Sequence, residues 1–189
     1  MDVLVDYQGA GGLGDLLCSD PMPLGLVERH GPDTRVFVRG NAGNVRHNPL
    51  VAGEARPGQR FDRVVEVQLF THMPRADYAR LEALPSLIEH MLGYAGVAPS
   101  DPRPKLHLTP DALAVLARVP LEAKPRVVLC ADHVDPLRHW PVERWRTVAR
   151  VLHDAGAQVL GVGQRDRLGV GIDLVGRLTM REVAAVMTQ

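Results

Sequence analysis

The first fifteen residues constrain the fold of this chain more than any other stretch. An apolar run at residues 3–5 is followed by a cluster of four glycines and then by a segment compatible with a helix, with Asp15 near its start. The run is too short for a stable helix, so the pattern predicts a buried strand, a tight turn and a helix start. In an open α/β sheet, ligands bind at such a turn because glycine admits close backbone approach and the helix start offers free N–H groups.

Strand and helix patterns alternate along the rest of the chain, which predicts an α/β fold. Further strands are expected over residues 35–39, 61–67, 126–131, 157–162 and 172–175. Helices are expected from the glycine cluster to about residue 30 with a bend at Pro21 and Pro23, then over 76–94 in two pieces interrupted at Pro85, and over 109–119, 140–155 and from 179 onward. Thr109 is the expected N-cap of one helix, and Thr179 with Glu182 forms a capping box for another.

The helix over 140–155 has a recognisable apolar face. It is formed by Val142, Trp145, Val148, Val151 and Leu152. Trp140, directly before Pro141, is expected to lie in the core.

A new sheet pattern starting at residue 126 predicts a domain boundary between 119 and 125. We therefore expect an N-terminal Rossmann-like domain over 1–120 and an incomplete Rossmann-like domain over 121–189. The second pattern, strand-helix-strand-strand-helix, lacks one flank of such a domain, so we expect a chain truncated within it.

Composition excludes several classes of function. Lys plus Arg and Asp plus Glu are both 22, and no long run of one sign predicts a nucleic-acid partner. The two cysteines, Cys18 and Cys130, have neither zinc-ligand nor disulfide-scaffold spacing. No apolar run has the roughly 18 residues of a membrane span, and no signal peptide pattern is present. We expect a protein of the cytoplasm.

The glycine cluster fits the dinucleotide fingerprint G-x-G-x-x-G, from Gly9 to Gly14. An NAD site needs an acid near the end of the second strand, whereas this strand ends in Arg39, which favours NADP. Pro21 and Pro23 do not suit the long helix of such a unit. An NADP-binding Rossmann protein is therefore a minor alternative.

Two further residues have both a functional and a structural interpretation. Asp15 is either a general base or a charge stabilised by a helix N-terminus. Arg138, between a strand end and a helix start, either binds a phosphate or is solvated. His133 and His139 have no carboxylate-histidine cluster beside them, so no metal is expected.

Several motifs then occur in a fixed order. Gly11-Gly12-Leu13-Gly14-Asp15 is followed by Pro21, and Asn48-Pro49 precedes the strand start at 61–65. The second half has Arg138-His139-Trp140-Pro141, a strand ending in Gly163, and Asp-Leu-Val-Gly-Arg-Leu-Thr at 173–179. Over essentially the whole chain, this order resembles glycosyltransferase family 9, the ADP-heptose:lipopolysaccharide heptosyltransferases and their relatives.

The resemblance implies a GT-B fold whose first domain binds the acceptor and whose second binds the nucleotide sugar. It implies that a heptose-like sugar is transferred from an ADP-heptose-like donor to a lipopolysaccharide-core or other glycan or lipid-linked acceptor. The transfer is expected to be inverting and to need neither a metal nor a cofactor. Peripheral contact with the membrane is compatible with such an acceptor. Carried over by position, Asp15 deprotonates the acceptor, Arg138 stabilises the departing diphosphate and Gln164 lies near the nucleoside. Gly11, Gly12 and Gly14 form the acceptor-side turn.

The chain departs from the family pattern in two ways. Arg138 stands where the family commonly has Lys, which keeps the charge and changes the geometry. The family's later Asp-Ser/Thr-Gly-x-x-His loop, which holds donor phosphates, does not occur before Gln189. A catalytically inactive glycosyltransferase-like fragment that acts as a binding module is therefore the main alternative.

Overall fold

The computed structural model describes residues 1–9, 13–68, 86–132 and 139–188. By its contacts the chain divides into two units, Met1–His107 and Leu108–Gln189. This division precedes the boundary expected between 119 and 125. The difference arises because Val115 and Val119 are buried in the core of the second unit.

The first unit contains a four-stranded parallel sheet. Its strands lie in the order β3-β2-β1-β4 and comprise β1 (Asp2–Gln8), β2 (Arg35–Gly40), β3 (Val51–Glu54) and β4 (Arg63–Gln68). The central strand β1 is buried at five successive residues, from Val3 to Tyr7, as expected for an inner strand of a parallel sheet.

Three helices of the first unit are described. They are α1 (Leu13–Cys18), α2 (Met22–His30) and α3 (Leu87–Ala95). The break between α1 and α2 confirms the predicted bend, because Pro21 stands directly before α2 and Pro23 lies in its first turn. Of the two helical pieces expected over 76–94, the first, before Pro85, lies outside the described part, and α3 confirms the second. One core joins the helices to the sheet, with Val3, Val5, Val36, Val38, Leu16, Met22, Leu26 and Met91 among its members.

The second unit contains a three-stranded parallel sheet of order β5-β6-β7, formed by β5 (Arg126–Cys130), β6 (Gln158–Val162) and β7 (Ile172–Asp173). Its helices are α4 (Pro110–Leu113), α5 (Val142–Asp154) and α6 (Met180–Met187). β6 is buried at all five residues, because Val159 packs in one cluster with Ala149 of α5 and Leu160 packs in another with Val186 of α6.

Both predicted helix caps of the second unit are confirmed. The Thr109 hydroxyl accepts a hydrogen bond from the Ala112 backbone N–H at 3.3 Å, and Thr179 with Glu182 forms the complete capping box. The helix after Thr109 is shorter than expected, since α4 changes at Ala114 to a 3₁₀ turn that ends at Ala117.

Two predictions about apolar side chains near α5 are wrong. Val151 is 63% exposed. At about 100° per residue it lies about 120° from Trp145 and about 180° from Val142, so it falls beyond the edge of the stripe on the side of Val148. Trp140 precedes α5 and is 38% exposed rather than in the core, with its ring edge-on to that of Trp145 at a centroid distance of 5.2 Å.

Candidate functional site

The glycine-rich segment follows the carboxyl end of β1, an inner strand of the first sheet, and open α/β sheets bind ligands at such strand ends. Gly9 has a φ of 88°, which favours glycine. Gly11 and Gly12 lie outside the described residues. Gly14 and the backbone of Asp15 belong to α1, while the Asp15 side chain lies outside the described part. The structure thus confirms the predicted strand and the helix that follows it, and the predicted turn at 10–12 lies outside the described residues.

Gly14 has open space beside it. A Cβ built at this position would have no atom of the described residues within 4 Å. Packing in the first unit therefore gives no reason for glycine at this point, and a role in approach to a ligand remains a prediction.

A buried carboxylate follows α1. Asp20 is 2% exposed. Its Oδ1 lies 2.9 Å from Nε2 of His107 and accepts a hydrogen bond from the Asn48 amide at 3.3 Å, and its Oδ2 accepts one from the Lys105 backbone N–H at 3.0 Å. The Asn44 amide lies at 3.5 Å. We call Asp20, Asn44, Asn48, Lys105 and His107 the Asp20 cluster.

The Asp20 cluster lies near the carboxyl end of β1. The Tyr7 hydroxyl is buried there and has no hydrogen-bond partner among the described residues. Burial raises the pKa of Tyr7, and the negative charge of Asp20 raises it further. Apart from the Asn48-Pro49 motif, sequence analysis did not select these residues, because partners up to 87 positions apart leave no local pattern.

Arg39, the residue that favoured NADP, is bound to Asp6 of the neighbouring strand. The two residues lie opposite each other in the β1–β2 register, and Arg39 donates to both carboxylate oxygens, at 3.2 and 2.6 Å. The hydrogen bond from Arg39 holds the pKa of Asp6 below its usual value. Because this guanidinium fork is engaged, the structure gives no support to Arg39 as a ligand for a nucleotide 2′-phosphate.

In the second unit, one carboxylate organises the loop that follows β6. Asp132 lies just after β5 and accepts hydrogen bonds from the backbone N–H groups of Gln164, Arg165 at 2.8 Å and Asp166 at 2.7 Å. Burial raises the pKa of Asp132, but these backbone donors outweigh it and the pKa lies below its usual value. Asp132 is therefore ionised, and its carboxylate fixes the loop by accepting hydrogen bonds from three consecutive backbone N–H groups.

Gln164, the residue predicted near the nucleoside, is exposed on this loop. Next to it, Asp166 Oδ2 lies 3.0 Å from Nε2 of His139, so the start of the α5 segment is linked to the same loop. Arg138 and His133 lie outside the described residues. The structure brings Gln164, Asp132 and His139 to one edge of the second sheet, the carboxyl ends of β5 and β6, where α/β sheets bind ligands.

The segment at 173–179 packs against the same loop. Gly176 donates its backbone N–H to Gly163 O at 2.7 Å, and Leu174 donates to Gly161 O at 2.9 Å. Asp173 Oδ1 accepts from the Val175 backbone N–H at 3.2 Å. This part of the family-like pattern is thus positioned beside Gln164 by backbone hydrogen bonds.

Among the residues that the structure describes, no three His, Cys, Asp or Glu side chains are grouped so that they could hold a metal ion. None of the helices described combines the length and apolarity that crossing a bilayer requires. Two surface grooves, of about 590 and 490 Å³, lie along β3 and β5, and neither is lined by the predicted site residues that the structure describes.

No protein-family model matches the sequence, and no curated protein sequence matches it. The fold itself has clear relatives, and they are glycosyltransferases of GT-B type. The E. coli ADP-heptose lps heptosyltransferase II is similar over 99% of this chain and 76% of that chain, with a TM-score of 0.71 and 18% identity. The glycosyl transferase family 9 structure from Veillonella parvula DSM 2008 covers 98% and 73%, with a TM-score of 0.67 and 13% identity.

The E. coli heptosyltransferase WaaC with ADP is also similar, over 99% of this chain and 78% of that chain, with a TM-score of 0.61 and 15% identity. At such low identities the comparisons show the fold alone. The predicted α/β, GT-B-like fold is confirmed.

Proposed function

We propose that this chain belongs to glycosyltransferase family 9 and transfers a heptose-like sugar from an ADP-sugar to a lipopolysaccharide-core or other glycan or lipid-linked acceptor. The observation that carries the proposal is the likeness of 99% of the chain to an ADP-heptose heptosyltransferase at a TM-score of 0.71. Three described parts of the family-like motifs support it, because Gly14, His139 and Gly163 follow the strands β1, β5 and β6 in the chain, and parallel sheets bind ligands at the carboxyl ends of their strands.

The proposed reaction is a single displacement without a metal ion. Asp15 takes the proton from the acceptor hydroxyl, and the oxygen attacks the anomeric carbon of the sugar with inversion. The bond from that carbon to the diphosphate oxygen breaks, and ADP leaves while Arg138 stabilises its developing charge. Gln164 lies on the nucleoside side, and Gly11, Gly12 and Gly14 form the acceptor-side turn.

Each domain has a separate task in this proposal. The first domain holds the acceptor and the second holds the donor. We further propose that the protein acts in the cytoplasm and contacts the membrane at its periphery when the acceptor is lipid-linked.

The experiment is a transfer assay on the 189-residue chain with ADP-heptose, compared with Asp15→Asn. A matched control is Asp33→Asn, which removes an exposed carboxylate of the same unit. We expect transfer by the parent chain and the control, unchanged in EDTA, and a loss of at least about 100-fold in Asp15→Asn, the lower range for a general base. The anomeric configuration of the product, read by NMR, tests inversion.

Calorimetry with ADP separates the alternatives. Binding of ADP without transfer would favour a binding module that no longer catalyses. Binding of NADPH in place of ADP would favour the dinucleotide alternative and contradict the proposal.

A further inference from the structure

The Asp20 cluster is interlocked as well as buried. Asn48 donates to the backbone oxygen of Asp20 at 3.0 Å as well as to its carboxylate. Asn44 donates to Lys105 O at 2.8 Å and accepts from the His107 backbone N–H at 3.2 Å. Three chain segments, at residue 20, at 44–48 and at 105–107, are thus fixed to one another by hydrogen bonds that share partners.

The cluster is joined directly to the last turn of α1. The Asp20 backbone N–H donates to Leu17 O at 3.0 Å, and the Ser19 hydroxyl donates to Leu16 O at 2.7 Å. Leu16, the residue after Asp15, is 5% exposed. Whatever holds Asp20 therefore also holds the carboxyl end of the helix that carries Asp15.

The segment that binds Asp20 also packs on α1. A Cβ built on Gly43 would lie 2.6 Å from Cδ1 of Leu16, so the backbone beside Asn44 approaches the helix closely. α1 has only six residues, too few to be stable without such tertiary support. Its position is set by Leu16 on one side and by Asp20 at its end.

The carboxylate is suited to this task by its chemistry. An ionised carboxylate accepts at both oxygens and donates none, and the groups facing Asp20 include the donors Asn48 and Lys105 N–H. A buried carboxylate is costly unless it is fully hydrogen-bonded. The Asp20 cluster is therefore stable when all its hydrogen bonds are formed. Loss of one partner weakens the hold on all three chain segments.

We propose that Asp20 is a positioning residue, which through the Asp20 cluster holds α1 and so the place of Asp15 relative to the acceptor. This inference rests on the proposed function, since it concerns the catalytic base. It assigns no contact between Asp20 and either substrate.

The test compares Asp20→Asn and His107→Ala with His107→Gln, which keeps an N–H donor near Asp20. Asp33→Asn is the exposed-acid control. The full chain is used, and each variant is assayed for kcat, for the KM of ADP-heptose and for hydrogen exchange at the backbone amides of residues 16–18. His107 lies at the edge of the cluster with 17% of its side chain exposed, so His107→Ala tests the proposal where Asp20→Asn fails to fold.

We expect kcat to fall about tenfold or more in Asp20→Asn and His107→Ala, since a misplacement near 1 Å can cost on the order of 100-fold. The KM of the donor should change less than about twofold, because the donor is proposed to bind the other domain. Exchange at residues 16–18 should rise about tenfold. His107→Gln should restore most of the parent chain's kcat and most of its slow exchange at residues 16–18. Asp33→Asn should change neither quantity.

Unchanged kcat in folded His107→Ala would overturn the inference, as would a loss of kcat without faster exchange at residues 16–18. The proposed function fails separately, when the parent chain transfers no sugar. The exchange measurement still tests the hold on α1 in that case, so the two failures are distinguishable.

Discussion

Asp6 and Arg39 lie directly opposite each other on β1 and β2 and form a two-pronged ion pair, with the closer N–O distance at 2.6 Å. Four residues back along the same two strands, Asp2 and Arg35 repeat the arrangement. The pairs differ in burial, since the Asp6 side chain is 13% exposed and that of Asp2 is 20% exposed. The sheet thus carries an internal comparison of two cross-strand ion pairs.

We expect the Asp6–Arg39 pair to stabilise the first unit more than the Asp2–Arg35 pair, because water screens the more exposed pair better. Double-mutant cycles with Asp6→Asn and Arg39→Gln, and with Asp2→Asn and Arg35→Gln, measure this by urea unfolding followed by circular dichroism. Equal coupling energies in the two cycles would contradict the expectation.

The Asp6–Arg39 contribution should also depend on pH. The folded pKa of Asp6 is lowered by the hydrogen bond from Arg39, so the stabilisation is present above the unfolded value of about 3.9 and is lost as pH falls through the folded value. The stability difference between the parent chain and Asp6→Asn should therefore narrow below about pH 4 and stay constant from pH 5 to 7, as read from urea midpoints.

Gly14→Ala separates helix stability from ligand approach. With open space at its Cβ position, the substitution should stabilise the folded chain by about 0.5–1 kcal/mol, because alanine restricts the unfolded chain and favours helix. Thermal unfolding measures this. If the acceptor approaches the backbone here, transfer should fall nonetheless.

Gly93→Ala is the matched control for Gly14→Ala. Gly93 lies in α3, and a Cβ built there also has none of the described atoms within 4 Å. It should gain similar stability and keep full transfer activity. Full activity in both variants would remove Gly14 from the acceptor-side turn.

Sequence reasoning succeeded where structure is encoded locally. The Thr179–Glu182 capping box is three residues apart, and the strand before Gly9 and the helix around Gly14 follow from adjacent residues. The roles of Asp20 and Asp132 depend on partners more than thirty positions away, which no window of sequence reveals. Trp140 shows the other limit, because its aromatic character predicted burial and its place before the first turn of α5 left it exposed.

Gly163→Ala should destabilise the second unit and weaken ADP binding. Gly163 has a φ of 128°, and a Cβ there would lie 2.5 Å from Asp132 Oδ2, so alanine adds both backbone strain and a collision with the carboxylate. We expect a loss of more than about 1 kcal/mol. Gly156→Ala is the control, because Gly156 has a φ of 89° but its built Cβ has no neighbour within 4 Å in the part of the chain that the structure describes. It should lose less stability and bind ADP like the parent chain.

Asp132→Asn tests whether the loop after β6 must be held by a charge. The substituted side chain keeps one oxygen but places an N–H₂ group opposite backbone N–H donors, so one hydrogen bond is lost. The free energy of unfolding should therefore fall by about 2 kcal/mol, since one hydrogen bond to a charged group contributes about 1.5–3 kcal/mol. Both tryptophans of the chain, Trp140 and Trp145, belong to the second unit. Their fluorescence during urea unfolding therefore reports on the unit that contains Asp132.

The same variant should bind ADP about tenfold more weakly by calorimetry, because Gln164 would no longer be fixed by its backbone N–H. Asp154→Asn, which removes an exposed acid at the end of α5, is the control and should leave both quantities unchanged.

The folded pKa of Asp132 is lowered, so its stabilisation is present above about pH 4 and lost below it, and the difference between parent chain and variant should shrink there. If the free energies of unfolding of the parent chain and Asp132→Asn differed by a constant amount from pH 7 to pH 3, the charge of Asp132 would not hold the loop.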